Sequence, residues 1–245
     1  MNREKISIII PCFNEEKNIY VNLMKIFQYL KDNFEIFEMI AVNDGSTDRT
    51  LEELKKIQKE TSLIIIQNSI NKGKGNAVKN GILQSHNEII MFLDADLAIP
   101  IEELKKFLVE INNGYDIVIA SRFVSGGKVI RKVLWYRKIM EKIFQIIRKL
   151  ILDNYKIQDT QCGFKVMKHE AALKIFPLMT VERFAFDAEI IFLANKYGCK
   201  IKELPITLQN PIRSHIRIFR DSFNMFFDLI RIRFNDIKGL YNHKA

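Results

Sequence analysis

Short runs of β-branched and other apolar residues alternate with helix-like segments along the first 120 residues. Strand-like runs occur at 6–10, 39–42, 63–67, 88–93 and 116–120, and helical spacing of apolar residues occurs at about 15–32, 48–60, 74–85 and 101–112. Repeated strand–helix units of this kind predict an α/β protein with a mostly parallel sheet covered by helices. In such sheets ligands bind at the carboxyl ends of the strands.

Polar, acidic or glycine-rich segments follow all five predicted strands. They read Pro-Cys-Phe-Asn-Glu at 11–15, Asn-Asp-Gly-Ser-Thr-Asp at 43–48, Asn-Lys-Gly-Lys-Gly-Asn at 71–76, Asp-Ala-Asp at 94–96 and Ser-Arg at 121–122. The carboxyl ends of parallel strands meet at one edge of a sheet, so these segments are predicted to surround one nucleoside diphosphate.

Asp94 and Asp96 are the first candidates for chemistry. They flank Ala95 directly after an apolar run, so both carboxylates can reach one divalent cation. Mg²⁺ and Mn²⁺ favour carboxylate oxygens and keep positions open for phosphate, and such a cation neutralises charge on a departing diphosphate. In the alternative interpretation the two carboxylates only accept hydrogen bonds from backbone amides in a turn.

Four further residues are predicted to form the nucleoside side of the site. Asp44 ends the second strand, where its carboxylate can accept hydrogen bonds from uracil or from ribose hydroxyls, and Pro11, Asn14 and Glu15 are predicted to wall the nucleoside pocket. Two alternatives remain open. Asn14 and Glu15 can be the first turn of a helix, and the Ser-Thr pair at 46–47 can simply cap the next helix.

The segment 71–76 is a candidate phosphate-binding turn. Its glycines precede a predicted helix, whose first backbone amides attract anions, and Lys74 adds a positive charge there. The spacing excludes a P-loop, and the absence of Gly-x-Gly-x-x-Gly argues against a dinucleotide-dependent dehydrogenase.

Two basic amphipathic helices are predicted in the second half, at about 128–152 and from about 214 onward. Each has apolar residues on one face and Lys or Arg, including Arg148, on the other. This composition is typical of helices that lie in a membrane interface, although both apolar faces can instead pack on the sheet. The chain is therefore divided into a sheet domain at 1–212, with the segment 128–152 inserted, and a C-terminal interface helix at 213–245.

Composition narrows the choice of partner. The 245-residue chain is 48% hydrophobic and carries a formal charge of +9, which favours an anionic partner: nucleic acid, a membrane face or phosphorylated small molecules. Its cations cluster on apolar-faced helices and no aromatic–basic sheet signature is present, so nucleic acid is not expected. Three scattered cysteines are predicted to be reduced, and the lack of a signal peptide or a long apolar stretch predicts a cytosolic protein.

Taken together, the segments at 11–16, 42–48, 71–75 and 94–96 resemble the nucleotide-sugar domain of glycosyltransferase family 2. Asp-Thr-Gln-Cys-Gly-Phe-Lys at 159–165 and Glu-Arg-Phe-Ala-Phe-Asp-Ala-Glu at 182–189 resemble the dolichyl-phosphate glucosyltransferases of that family. The resemblance, from about residue 6 to 234, implies a GT-A fold that binds a UDP-sugar and Mg²⁺ or Mn²⁺. It also implies inverting transfer of a hexose, with glucose expected, to a polyprenyl phosphate by a peripheral enzyme on the cytosolic membrane face.

The resemblance also implies roles for residues of the second half. Arg122 is expected to bind the donor diphosphate or the acceptor phosphate, because a guanidinium binds phosphate with two parallel hydrogen bonds. Segment 159–163 is interpreted as a sugar and acceptor loop, with a polar turn before a strand as the alternative. The residues assigned to this loop and its acceptor contacts are Asp159, Thr160, Gln161 and Ser214.

Asp187 is the candidate general base, with a helix N-cap as the alternative. A phosphate monoester has a second pKa near ~6, so a lipid phosphate is already an oxyanion at neutral pH and needs no strong base. Ala98 stands where mannosyl-transferring relatives often carry Gln, which favours glucose. The alternatives are mannose from GDP-mannose, a saccharide hydroxyl as acceptor, or a basic nucleic-acid-binding module.

Overall fold

The computed structural model describes residues 4–129, 135–153, 156–208 and 218–242. All five strands and all four helices predicted in the first 120 residues are present, with ends shifted by up to four residues. The strands are β1 (Ile6–Cys12), β2 (Phe37–Asp44), β3 (Leu63–Asn68), β4 (Ile89–Leu93), β5 (Ile117–Ser121), β6 (Lys128–Val129), β7 (Phe164–Lys168), β8 (Ile201–Pro205) and β9 (Thr207–Leu208).

Eight α-helices lie in the described part of the chain, along with 3₁₀ turns at Ile101–Glu103 and Phe176–Leu178. The helices are α1 (Ile19–Asn33), α2 (Thr50–Glu60), α3 (Lys74–Leu83), α4 (Leu104–Asn112), α5 (Trp135–Leu152), α6 (His169–Ile175), α7 (Phe186–Lys196) and α8 (Ile218–Ile237).

The main sheet has seven strands in the spatial order β3-β2-β1-β4-β7-β5-β8, and β6 pairs with β9 in a small second sheet. Side chains alternate between the two faces of the sheet, as β1 shows. Ile8 and Ile10 pack with α1, α2 and α4, whereas Ile9 between them packs with α3 and α7 on the opposite face. Both faces are therefore covered, which explains why β1 is apolar along most of its length.

The strand order reverses between β1 and β4, which pair in parallel. In sheets of this kind the crevice at such a reversal is where ligands bind. The segment after β1 contains Glu15 and the segment after β4 contains Asp94 and Asp96. The topology thus places the predicted nucleoside and metal residues at one crevice.

Strand β7 changes the predicted arrangement of the sheet. It lies between β4 and β5 and is antiparallel to both, so the ends of β4 and β5 are not adjacent. An antiparallel strand begins at the edge where its parallel neighbours end. For this reason the segment 159–163, which precedes β7, reaches the same edge as Asp94.

The two predicted interface helices pack against each other, α5 on α8. The first helix was predicted from about residue 128, but residues 128–129 form β6 and the helix α5 begins at Trp135. Ser214 and the predicted domain boundary at 212–213 lie outside the described residues. Arg148 was predicted on the basic face of the first helix, opposite its apolar face, and is instead 1% exposed. Its Nη2 donates to the Ile157 carbonyl oxygen at 2.9 Å, which satisfies part of the buried guanidinium. Burial lowers the pKa of Arg148.

An exposed apolar surface remains on the α5–α8 pair, and we call it the apolar stripe. On α8 its members recur at intervals of three or four residues, which places them on one side of the helix. No helix in the described residues is long and apolar enough to cross a membrane. The stripe consists of Ile143, Ile146, Leu150, Phe223, Phe227, Ile230, Phe234, Ile237 and Leu240.

Candidate active site

The Asp94–Asp96 segment forms a tight turn at the end of β4. The Leu97 amide donates to the Asp94 carbonyl oxygen at 3.2 Å, and Leu97 has a φ of 49°, in the left-handed region that a leucine rarely adopts. The Ala98 amide donates to Asp96 Oδ1 at 3.0 Å. One oxygen of Asp96 therefore accepts a backbone hydrogen bond, as in the alternative interpretation of this segment as a simple turn. The same turn holds both carboxylates at the crevice.

Three carboxylates interact electrostatically at this crevice. Burial, followed by the charges of Asp96 and Asp94, raises the pKa of Glu15 to about 7. Burial and the charge of Asp94 also raise the pKa of Asp96. Both shifts show negative charge concentrated in a partly desolvated place, which a bound cation would relieve.

The donor set fits a hard divalent cation held in part by substrate. Asp94 and Asp96 supply carboxylate oxygens, the ligands that Mg²⁺ and Mn²⁺ prefer. Within the part of the chain that the structure describes, no group of three or more His, Cys, Asp or Glu side chains is arranged to hold a metal. A cation at this turn would thus take its remaining ligands from phosphate and water.

Lys74 is the first residue of α3, and its Nζ lies 2.5 Å from Asp94 Oδ1. The glycines on either side of it pack closely against the segment before α7. A Cβ on Gly73 would lie 2.5 Å from the Glu182 carbonyl oxygen, and one on Gly75 would lie 2.7 Å from the Cβ of Phe186. The predicted phosphate-binding turn is therefore pinned in place, with Lys74 directed at the acidic crevice.

The Asp44 carboxylate accepts hydrogen bonds from the backbone of this glycine-rich turn and fixes its position. Its Oδ1 accepts hydrogen bonds from the Lys72 amide at 3.0 Å and from Asn68 Nδ2 at 2.7 Å, and its Oδ2 accepts from the Gly73 amide at 2.7 Å. Only 2% of Asp44 is exposed. The structure gives Asp44 a positioning role, and its contact with a nucleoside stays a prediction.

The segment after β1 is joined to the segment after β2 by hydrogen bonds. The Asn14 amide donates to Ser46 Oγ at 3.0 Å, and Asn14 Oδ1 accepts from the Thr47 amide at 2.8 Å. Asn14 has a φ of 56°, and α1 begins only at Ile19, so the first-turn interpretation of Asn14 and Glu15 was wrong. Pro11 is half-buried and lies within β1.

The expected helix cap at 46–47 was also wrong. Helix α2 begins at Thr50, and the carboxylate that meets its first amide belongs to Asp48, whose Oδ1 accepts from the Thr50 amide at 2.9 Å. Thr50 Oγ1 in turn accepts from the Glu15 amide at 2.7 Å. The hydroxyls of 46–47 face Asn14 instead, so both segments form one wall beside the crevice.

Arg122 is engaged by Asp159. Arg122 Nε donates to Asp159 Oδ2 at 2.7 Å and Nη2 donates to Oδ1 at 2.9 Å, a bidentate pair. Burial alone would raise the pKa of Asp159, but the Arg122 guanidinium outweighs it and holds that pKa below its usual range. Asp159 thus fixes the orientation of Arg122, and the contact of Arg122 with a phosphate stays a prediction.

Segment 159–163 lies beside Asp94. The Asp94 amide donates to the Gly163 carbonyl oxygen at 3.1 Å, and a Cβ on Gly163 would lie only 2.0 Å from Asp94 Oδ2. Thr160 is buried, and the buried Nε2 of Gln161 has no hydrogen-bond partner within the described residues. These contacts favour a loop of the site over a simple polar turn.

A buried ion pair beneath this loop was missed from the sequence. Lys165, the second residue of β7, is 0% exposed and donates from Nζ to Asp187 Oδ1 at 2.5 Å and to the Cys162 carbonyl oxygen at 2.7 Å. Burial raises the pKa of Asp187, and the ammonium groups of Lys165 and Lys74 offset part of that rise. The N-cap of α7 is Ala185, so the capping interpretation of Asp187 was wrong. The sequence did contain one sign of this ion pair, because Lys165 lies between apolar residues of a predicted strand.

Residues 7–176 match the model of the family "Glycosyl transferase family 2", and the chain belongs to that family. The protein is therefore a glycosyltransferase by class. The predicted family and α/β GT-A fold are thereby confirmed.

Among proteins of assigned function, the chain is similar to the dolichyl-phosphate beta-glucosyltransferases. It is 32% identical to the Saccharomyces cerevisiae protein over 256 residues, covering 96% of this chain and 76% of that protein. It is 31% identical to the Homo sapiens protein over 252 residues, covering 97% and 78%. Both matches extend nearly from end to end of this chain.

Solved structures show the same fold. Glucosyl-3-phosphoglycerate synthase from Mycobacterium tuberculosis, in complex with Mn²⁺, UDP and glucosyl-3-phosphoglycerate, has a TM-score of 0.68 with 17% identity, covering 94% of this chain and 78% of that one. At this identity the likeness supports the architecture alone.

Proposed function

We propose that the protein transfers glucose from UDP-glucose to a dolichyl-type polyprenyl phosphate, with inversion, at the cytoplasmic face of a membrane. The names of its relatives support this reaction. The observation that carries the proposal is the gathering of Glu15, Asp94, Asp96 and Lys74 at the crevice between β1 and β4. Acidic groups for a cation and a basic group for phosphate meet there, as transfer from a nucleoside diphosphate requires.

Asp94 and Asp96 would hold the divalent cation, which supplies charge neutralisation to the diphosphate of the donor. Mg²⁺ or Mn²⁺ is the proposed ion, because these hard cations prefer carboxylate and phosphate oxygens. The amino end of α3 would attract the same diphosphate through the positive end of the helix dipole, and Lys74 adds a full charge. Pro11, Asn14 and Glu15 line the side of the crevice where the nucleoside lies.

The acceptor phosphate supplies its own nucleophile. One of its oxygens forms the new bond to the anomeric carbon while the bond between that carbon and the diphosphate oxygen breaks, and the electron pair leaves with UDP. No proton has to move, because both the attacking and the departing phosphate oxygens are anionic near neutral pH. Alignment and charge neutralisation therefore account for catalysis.

Arg122 and Asp187 are expected to have different roles in this reaction. Arg122 is expected to align the acceptor phosphate, since Asp159 already holds its guanidinium in one orientation. Asp187 was the candidate base, but it is 3% exposed and ion-paired with Lys165. That geometry favours a role for Asp187 in positioning segment 159–163 through Lys165.

The apolar stripe supports a lipid acceptor. Phe223, Phe227 and Phe234 expose more than half of their surface on α8, beside Arg231 and Arg233. Exposed aromatic side chains flanked by arginine favour adsorption to an anionic membrane surface. A polyprenyl chain stays in that membrane, so docking through the stripe would bring the enzyme to its acceptor.

The test is to incubate the purified protein with UDP-glucose, UDP-galactose or GDP-mannose and a short polyprenyl phosphate, followed by mass spectrometry of the lipid fraction. A hexosyl-phosphate lipid is expected from UDP-glucose, with activity lost on chelation and lowered at least about 100-fold by Asp96→Asn. Asp32→Asn, at an exposed position in the last turn of α1, is the matched control and should retain activity.

Other products would indicate a different donor or a different acceptor. GDP-mannose is included because the chain is also 32% identical over 207 residues to a dolichol-phosphate mannosyltransferase of Pyrococcus furiosus, covering 83% of this chain and 56% of that one. A mannosyl lipid would replace glucose in the proposal. Transfer only to an added saccharide hydroxyl would refute the lipid acceptor.

A further inference from the structure

Lys74 and Asp94 form an ion pair although the proposed reaction gives them separate ligands. Lys74 Nζ lies 2.5 Å from Asp94 Oδ1, and the two side chains are 21% and 42% exposed. Asp94 is expected to bind a divalent cation, and Lys74 is expected to bind the diphosphate. An ammonium and a divalent cation repel each other, so sharing one carboxylate oxygen at contact distance weakens the binding of both.

We propose that Lys74 is an exchangeable counter-ion, which neutralises Asp94 while the site is empty and moves to the diphosphate when the nucleotide binds. This inference rests on the proposed function, since it assumes that both a nucleotide and a cation bind at the crevice. It adds that occupation of the two subsites is coupled through one side chain.

The surroundings of Lys74 suit such an exchange. Its backbone is fixed at the first residue of α3, because Gly73 and Gly75 pack tightly against the segment before α7. Only the four-carbon side chain has to rotate, and the diphosphate is expected at the same helix end. Asp187 and Asp96 are also acidic neighbours of Lys74, but Asp187 is paired with Lys165 and Asp96 accepts from the Ala98 amide. Asp94 is thus the carboxylate with which Lys74 forms its ion pair among the described residues.

A measurable coupling follows from this arrangement. Without nucleotide, a cation has to displace Lys74 from Asp94, and its affinity is reduced. With nucleotide bound, the Lys74 ammonium pairs with the phosphate, and the Asp94 carboxylate is available to the cation. UDP should therefore strengthen cation binding beyond the direct contact between metal and phosphate, and the cation should strengthen UDP binding by the same factor.

The experiment is calorimetric titration of the full chain with MnCl₂, with and without saturating UDP, for the wild type, Lys74→Met and Lys31→Met. Methionine keeps an unbranched side chain and removes the charge. Lys74→Met should bind Mn²⁺ alone about fivefold more tightly, as expected for loss of a partly exposed ion pair. Its affinity in the presence of UDP should change little, so the coupling factor should fall by the same fivefold.

Lys31→Met is the matched control. Lys31 is exposed in the last turn of α1, far from the crevice at the carboxyl ends of the strands, and its loss changes the net charge equally. Both Mn²⁺ affinities and the coupling factor should stay at the wild-type values. Thermal denaturation of each variant checks that the fold is retained.

Two results would overturn the inference alone. Unchanged affinity of Lys74→Met for Mn²⁺ would show that Lys74 does not compete for Asp94. An equal gain with and without UDP would show plain charge repulsion rather than exchange, because the coupling factor would be unaltered. A wild-type protein that binds no Mn²⁺ even with UDP would instead remove the metal site on which the proposed function also depends.

Discussion

Gly163→Ala should damage the site while leaving the fold intact. A Cβ at this position would lie 2.0 Å from Asp94 Oδ2, 2.4 Å from Cγ and 2.6 Å from Oδ1, and these are its three nearest contacts. Gly163 is not among the residues with a positive φ, so alanine causes no backbone strain. The whole effect therefore falls on the Asp94 carboxylate.

The expected magnitudes differ for stability and for function. An ordinary contact between carbon and oxygen is about 3.4 Å, so the Asp94 carboxylate must move by more than about 1 Å or change rotamer. Asp94 is 42% exposed at its side chain and can move, so the loss of stability should be about 1 kcal/mol. A displacement of about 1 Å of a group that aligns substrate costs about 100-fold in rate.

Three measurements check this prediction: the melting temperature, Mn²⁺ affinity with UDP present, and turnover with UDP-glucose and polyprenyl phosphate. The double variant Asp94→Ala with Gly163→Ala is the control. Without the carboxylate the clash disappears, so the stability cost of Gly163→Ala should vanish in that background. Wild-type cation affinity and turnover in the single variant would refute the placement of Asp94 against Gly163.

Two further predictions concern pH and membrane binding. The pKa of Glu15 is raised from 4.5 to about 7, so its stabilising effect in the cation-free protein is complete below pH 4.5 and is lost as the pH rises through 7. Glu15→Gln should remove this decline from melting temperatures measured with chelator between about pH 5 and 8, and an unchanged slope would contradict the cause assigned to the shift. Phe227→Ser removes a 51% exposed ring from the apolar stripe and should lower vesicle binding in a flotation assay about tenfold. Val109→Ser, at a 57% exposed position on the opposite face of the sheet, should float like the wild type, and equal losses in both variants would refute docking through the stripe.

The strand ends explain why much of the site was predictable. Alternation of apolar runs with helical spacing indicates a parallel sheet, and a parallel sheet brings the segments after its strands to one edge. Glu15 and Asp94 are separated by 79 positions in the chain, yet the structure couples them electrostatically as that rule requires. Family resemblance added segments 159–165 and 182–189, and the structure places both around Asp94 and Lys74.

Sequence alone determined the fold class, the family and the segments that form the crevice, because these depend on local periodicity and on short motifs. Tertiary structure decided which atoms those side chains contact. It inserted β7 antiparallel between β4 and β5 and thereby brought Gly163 onto Asp94. It also enclosed Lys165 with Asp187 and turned Arg148 inward. Each of these outcomes depends on pairing and packing between residues far apart in the chain, and no local pattern of apolar and polar positions encodes the partner of a buried charge.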